Sequence, residues 1–423
     1  MLRLCIRSGP PPLGWPWIEP VQGGTMLDTR DHAASFKAQS RQVSNQHGGR
    51  ALRASARAPQ PGKPAISLDD FLRDARFDAN DPAALGALLA DLIERGYDRA
   101  PTLPLPGHGE TPVRWRALAA VAACDLGLVK LFEGHTDALA ILAELDGPLP
   151  PAASRWGVWA AEAPHARVRA IDEGIQNVAG EGAQVHLSGT KAWCSGARAL
   201  THALVTAWRD DEPVLAALAL DQTSISIDTS KWQAVGMQAT ASADVTFKDT
   251  VATLVGAPHA YLRRAGFWHG GAGIAACWYG AAAQIARTLR DACARHADAH
   301  RLAHLGATDV ALQSAAALLR ETAAWIDAQP SADAATRVLR ARLVVEQAAS
   351  AVIEHATRAL GAGPLCRDAR FARALADLPV FLRQSHAERD LAALGERLVE
   401  AADTTAAPAS HRASSQTLAP WTL

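Results

Sequence analysis

The hydrophobic period of this chain changes twice, and that order narrows its fold more than any single motif. From Ile66, the stretches DPAALGALLADLIERGYDR and VRWRALAAVAACDLGLVKLFEGHTDALAILAEL place apolar residues at i, i+3 and i+4, the spacing of one helix face. Ser67 followed by Asp69 and Asp70 reads as the N-cap that opens this block, close to a capping box with Asp in place of Glu. GPLPP at 147–151 closes it. Between 156 and 256 the period shortens. WGVWAAE, RVRAID, AQVHLSG, KAWCSG, HALVTAW, VLAALAL, ISIDTS and ADVTFKD are runs of strand length bounded by Gly, Asp, Ser or Pro. From Gly266 the helical period returns to about residue 402, in segments near 266–298, 307–328, 333–361 and 370–402. The expected fold is α+β and mainly α. It comprises an N-terminal helical domain (66–152), a middle antiparallel β-barrel or sandwich (153–258) and a C-terminal four-helix bundle (259–402).

The two ends read differently. Residues 1–65 are polar and broken by Gly and Pro, without the apolar stretch of a signal peptide, so disorder or a mis-called upstream start is expected there. Residues 403–423 read as a second loose tail. With 42 basic against 43 acidic residues, the chain shows no electrostatic footprint for nucleic acid or an anionic membrane surface. No apolar run is read as long enough to span a bilayer. The six cysteines are scattered without a CxxC, which fits reduced thiols of a cytoplasmic protein. There is no GxGxxG after a strand, no HExxH or Cys/His metal spacing and no GxSxG elbow.

The stretch LSGTKAWCSGARALTHALVTAW, 187–208, is the most specific feature. It turns at Ser188-Gly189 and at Ser195-Gly196, and in a strand Trp193 and Ser195 would share one face. The plain alternative is a hairpin with a buried Trp and a solvated Ser. Set between a helical block and a bundle, however, the hairpin Gly189-Thr-Lys191-Ala-Trp193-Cys194-Ser195-Gly196 resembles the acyl-CoA dehydrogenase superfamily. GMQATASADVTFKDTVATLVG at 236–256 is similar to the family's strand pair ahead of the third domain. HLGATDVALQ carries Gly306 and Gln313 at the family's FG-x(6)-Q spacing, with Leu305 in place of Phe. ALGAGPLCRDARFARALADLPVFLRQSHAERDLAALG at 359–395 resembles its last conserved region, with Asp368 and Arg373 as matching positions.

The resemblance covers about 66–402 and implies a soluble flavoprotein. Trp193 would cover the isoalloxazine ring, and the Ser195 hydroxyl or N–H would face N5. Gln313 would reach the FAD pyrophosphate of a neighbouring subunit, so a homodimer or homotetramer is implied. Arg301 lies one residue off the family's Arg register, and Arg358 replaces a Gln near the flavin phosphates. The TEPxAGSD signature reads AAEAPHARVRA at 160–170, keeping Glu162 and Pro164 but not Gly-Ser-Asp. The resemblance also implies that Trp159 and Ala161 would contact the flavin.

The catalytic carboxylate is the main departure. The base position falls on Ser385, followed by His386; a second register places it on Ala376 beside Asp377. The alternative position in the family, on the first bundle helix, offers His269 and Tyr279. A neutral imidazole, with an ordinary pKa near ~6.5, can serve as base. The expected reaction is α,β-dehydrogenation of an acyl thioester with hydride transfer to FAD, electrons passing to an electron-transfer flavoprotein or to oxygen. A histidine in place of Glu also suits the superfamily's monooxygenases, which take reduced FMN from a flavin reductase and use oxygen. The third alternative is a degenerate homologue kept for binding.

Overall fold

The computed structural model of the chain describes residues 66–172 and 183–406; the expected disorder of 1–65 and the tail beyond 406 lie outside them. Four helices come first: α1 (Leu68–Asp74), α2 (Pro82–Glu94), α3 (Thr111–Cys124) and α4 (Leu126–Glu144). The expected cap is present, with Ser67 Oγ accepting the Asp70 N–H at 3.1 Å and donating to the Asp70 carboxylate at 2.7 Å. Asp81 and Asp125 cap α2 and α4 in the same way, and Pro82 occupies the first turn of α2, where no N–H is needed. The apolar face of α4, including Leu128, Val129, Phe132 and Ile141, is fully buried. It carries the helical layer against the sheet and α6.

Seven strands follow: β1 (Trp156–Trp159), β2 (Val168–Ile171), β3 (Gln184–Cys194), β4 (His202–Arg209), β5 (Glu212–Ala219), β6 (Ile225–Asp228) and β7 (Ala243–Leu254). The pairings β4–β5, β5–β7, β7–β3, β3–β2 and β2–β4 close a ring, so the barrel alternative is the one formed. Two pairings depart from the antiparallel expectation: β1 and β2 both run parallel to β4. Parallel neighbours need a long crossover, which the excursion through β3 supplies. The β3–β7 register slips between Leu187 and Gly189 and again between Lys191 and Cys194. Gly189 sits at φ +125°, and a Cβ there would run into the Arg167 carbonyl oxygen. This position accepts only Gly.

After α5 (Ala260–Arg263), the bundle is built from α6 (Gly266–Arg295), α7 (Ala299–Ala328), α8 (Ala335–Leu360), α9 (Ala362–Arg367), α10 (Ala369–Leu382) and α11 (Glu388–Ala406). The break expected at 301–306 lies instead at 296–298, because Asp298 Oδ1 accepts both the His300 and Arg301 N–H groups and starts α7 there. The single helix expected over 370–402 is two helices, with a turn at 383–387 between them. Ala387 turns the chain there at φ +46°, and Ser385 Oγ takes its N–H. A bundle of four long helices is thus three, with α10 and α11 sharing the fourth place.

The expectation that no segment could span a membrane also needs correcting. By length and composition α7 passes that test, with a mean hydropathy of 1.2 over its best window, which is only 28% buried. Its alanines and leucines, with Asp309 the one charge between Leu302 and Leu319, produce that value. The helix packs against α8, α6 and α3 and turns Leu302, Gly306, Val310, Gln313 and Ala317 outward.

Candidate functional site

The hairpin does present an aromatic, by a different geometry from the one expected. Trp193 occupies the second bulge of β3 at φ +59°, a left-handed conformation that costs a bulky residue energy, and it is 57% exposed. Two-residue alternation fails across a bulge. Lys191 and Ala192 are therefore both buried, and Ser195 falls beyond the strand rather than beside Trp193 on one face. Ser195 Oγ pairs with Ser242 Oγ at 3.0 Å, and Ser242 with Thr240 Oγ1 at 3.1 Å.

Below the tip, Lys191 is fully buried and donates from Nζ to Glu162 Oε1 at 2.6 Å and to Thr206 Oγ1 at 2.9 Å. Glu162 also accepts from the Thr206 hydroxyl and from Trp208 Nε1. The retained Glu of the AAEAPHARVRA segment is thereby built into the barrel. Trp159 is buried and donates from Nε1 to the Ser195 carbonyl at 3.3 Å, supporting the hairpin from inside. Ala161 is half-buried at the same edge.

The barrel meets the bundle beside this hairpin. Gly196 N–H donates to the Thr240 carbonyl at 2.8 Å, Thr240 Oγ1 donates to the Met237 carbonyl at 2.8 Å, and Met237 N–H donates to Asp377 Oδ1 at 2.5 Å. A Cβ on Gly236 would run into the Ala376 carbonyl, so α10 lies directly on this loop. One continuous string of contacts therefore joins the hairpin to α10, the helix that ends at the 383–387 turn.

Burial, reinforced by the neighbouring Asp125 carboxylate, raises the Asp377 pKa to about 6, against the pull of the Met237 N–H. With the folded value above the unfolded one, the native state holds the proton more tightly. Stability is then fully present below about pH 4 and is lost as pH rises through about 6. Asp377→Asn keeps an acceptor for Met237 and removes the buried charge. Its melting temperature should exceed the wild type's at pH 8, by on the order of 3 kcal/mol in stability, and match it only at or below about pH 4. Thermal melts at the two pH values check this.

The turn itself carries Ser385 and His386, adjacent as the sequence places them. Ser385 is buried; His386 is half-buried, its side chain 31% exposed. Asp390, buried on the first turn of α11, faces both. Its Oδ2 accepts the His386 N–H at 3.2 Å and lies 3.4 Å from Ser385 Oγ, and its Oδ1 lies 3.6 Å from His386 Nδ1. Hydrogen bonds from His386 and the nearby Arg342 charge hold the Asp390 pKa below its ordinary value despite burial. The site thus contains a carboxylate after all, behind the imidazole. Sequence reading missed Asp390 because its i+4 relation to His386 matters only once a helix starts between them. Arg342, whose guanidinium reaches the same turn from α8, left no sequence signal.

The remaining candidates are not brought to this turn. His269 is buried near the start of α6, its pKa lowered chiefly by burial, with Nε2 lacking a protein partner. Gly271 faces Arg342, and two helical positions separate about 200° of rotation, so His269 points to the other side of α6. Its ring lies under Gly107 instead. Arg301 binds the His296 carbonyl at 3.0 Å and pairs with Asp298, finishing the start of α7. Arg358 is exposed and pairs with Glu354 one turn away. Gln313 is exposed in the middle of the outward face of α7. Among the described residues no group of three or more His, Cys, Asp or Glu is placed to hold a metal.

No family model and no curated protein sequence matches the chain. Solved structures do. Glutaryl-CoA dehydrogenase from Mycobacterium smegmatis superposes with a TM-score of 0.66 at 19% identity, over 78% of this chain and 92% of that one. Butyryl-CoA dehydrogenase from Megasphaera elsdenii gives 0.64 at 14% identity, over 80% and 100%. TdsC from Paenibacillus sp. A11-2, solved with FMN and indole, gives 0.61 at 19% identity, over 78% and 92%. At these identities the likeness is one of fold: the chain has the acyl-CoA dehydrogenase-like fold.

Proposed function

We propose that the protein is a flavin-dependent oxidoreductase that binds FMN or FAD against the Trp193 hairpin and oxygenates a small-molecule substrate. The observation that carries this reading is the α10–α11 turn. The family's base position falls there on Ser385 and His386, and a buried carboxylate, Asp390, stands beside them with its oxygens already engaged. A group that holds and moves a proton suits oxygenation, whereas α,β-dehydrogenation in the family rests on a carboxylate base.

The residues present fit a flavin. Trp193 stands exposed in a strained conformation on an anchored hairpin, an arrangement that makes sense if a flat apolar partner covers it. Ser195, just past the end of the strand, would offer the hydroxyl that now pairs with Ser242. A bound reduced flavin supplies the two electrons by which one atom of O₂ enters the substrate and the other leaves as water. The protein's part is to hold the ring with Trp193 and Ser195, to keep the hairpin fixed through Lys191 and Glu162, and to handle the proton at His386. The outward face of α7, apolar around Gln313, suits a second copy of this chain, with Gln313 reaching that copy's cofactor. A flavin reductase would be the electron-supplying partner.

The second reading, dehydrogenation of an acyl thioester with His386 as base, is favoured by the slightly higher TM-scores with the two dehydrogenases. One experiment separates the two. Anaerobic protein loaded with oxidised FAD is titrated with acyl-CoAs, and protein loaded with photoreduced FMN is mixed with oxygen and indole as a trial acceptor. Oxygenated product from the second mixture, with no bleaching in the first, is expected. Bleaching by a thioester would establish the dehydrogenase instead, and failure to bind either flavin would leave only a binding homologue.

A further inference from the structure

The turn that carries His386 is held from two directions. On one side Asp390 takes the His386 N–H at 3.2 Å. On the other, α8 presents two side chains one helical turn apart. Arg342 donates from one guanidinium nitrogen to the Gln384 carbonyl at 3.0 Å, and Glu346 accepts from Arg383. The other nitrogen of Arg342 donates to the Gly271 carbonyl of α6 at 2.7 Å, and its Cζ lies 4.8 Å from the centre of the Trp278 ring. Residues 383, 384 and 386 are therefore each tied to a different partner. They need such restraint, because the chain leaves the turn through Ala387 at φ +46°, a conformation an alanine holds only when its surroundings impose it.

We propose that Arg342 is a positioning residue for His386: by bridging the α6 and 383–387 backbones it sets where the imidazole stands relative to the hairpin. The proposal rests on the reading of His386 as the proton-handling group. A planar fork suits this task because its two donors leave in fixed directions, toward two carbonyls on separate elements, while its face lies on Trp278. Lysine offers the charge without the fork. The charged groups facing the turn are Asp390 from α11, Arg342 and Glu346 from α8, and Arg383 from the end of α10.

The test uses the full chain loaded with photoreduced FMN and follows its reoxidation by oxygen across pH, together with amide exchange at 384–389. Wild type is expected to show a pH limb that disappears in His386→Ala. In Arg342→Gln, exchange at 384–389 should rise by about 10-fold or more and the same limb should be lost. FMN affinity should stay within about two-fold, since misplacing a group by about 1 Å suffices for large rate losses. Arg342→Lys, which keeps the charge should the glutamine variant not fold, should restore less than half of the wild-type rate. A limb that disappears in His386→Ala but survives in Arg342→Gln overturns the proposal alone, as does unchanged exchange. A limb that survives in His386→Ala removes the reading of His386 and the proposal with it.

Discussion

His386→Ala should lower oxygenation of the trial acceptor by at least about 100-fold, the usual contribution of a positioned proton donor or acceptor. FMN affinity should stay within about two-fold. The two effects separate because His386 does two different things. Its backbone N–H is held by Asp390, a contact that alanine retains, so the turn stays formed. Its side chain is 31% exposed, so truncation opens little space in the core, and loss of the imidazole contact to buried Asp390 should cost about 1 kcal/mol. What disappears is the imidazole, whose Nδ1 faces Asp390 and whose Nε2 lies on the opposite edge of the ring. Asp390→Asn gives the companion result. It keeps an acceptor for the N–H but loses the charge behind the ring, and its rate should fall between wild type and His386→Ala. Product formation and flavin fluorescence, measured on the same samples, check both. A His386→Ala rate near wild type would return His386 to a polar residue on a turn.

Much of this arrangement is legible in the sequence. Element order came from the period of the apolar residues, since a switch from helical to strand spacing reports which faces are buried. The caps at Ser67 and Asp81 follow local rules that need no tertiary information. The hairpin was found as a motif, but its geometry was misjudged, because strict alternation assumes an unbroken ladder and the bulge before Cys194 breaks it. The split of the last helix was missed for a related reason. ALADLPVFLRQSHAERDLAALG shows helical apolar spacing on both sides of residues 383–387, with no Gly or Pro inside that gap to mark a break, and Arg342, Glu346 and Asp390 take up the turn's backbone and flanking side chain. Those three partners come from distant or later positions, and nothing local announces them. The same holds for Asp377, whose raised pKa depends on burial and on the Asp125 carboxylate, far away in sequence.

Lys191→Met should destabilise the protein by about 3 kcal/mol, the range for breaking a buried pair from one side. Lys191 Nζ is completely buried and holds Glu162 at 2.6 Å, so its removal strands a carboxylate whose side chain is only 17% exposed. Thr206 and Trp208 still donate to that carboxylate, which keeps the loss from the upper end of the range. The double variant Lys191→Met/Glu162→Leu should recover to within about 1 kcal/mol of wild type, because a buried pair replaced by apolar groups of similar size is often close to neutral. Denaturant unfolding of wild type, Lys191→Met, Glu162→Leu and the double variant gives the cycle directly. Flavin affinity follows the same logic. Trp193 lies two residues beyond Lys191 at φ +59°, and its conformation persists only while the strand beneath it is fixed. FMN binding should therefore weaken about 10-fold or more in Lys191→Met and return in the double variant, whose hairpin is anchored again without any charge. Binding that stays weak in the double variant would mean that the Lys191 charge itself, and not the rigidity it confers, is what the cofactor needs.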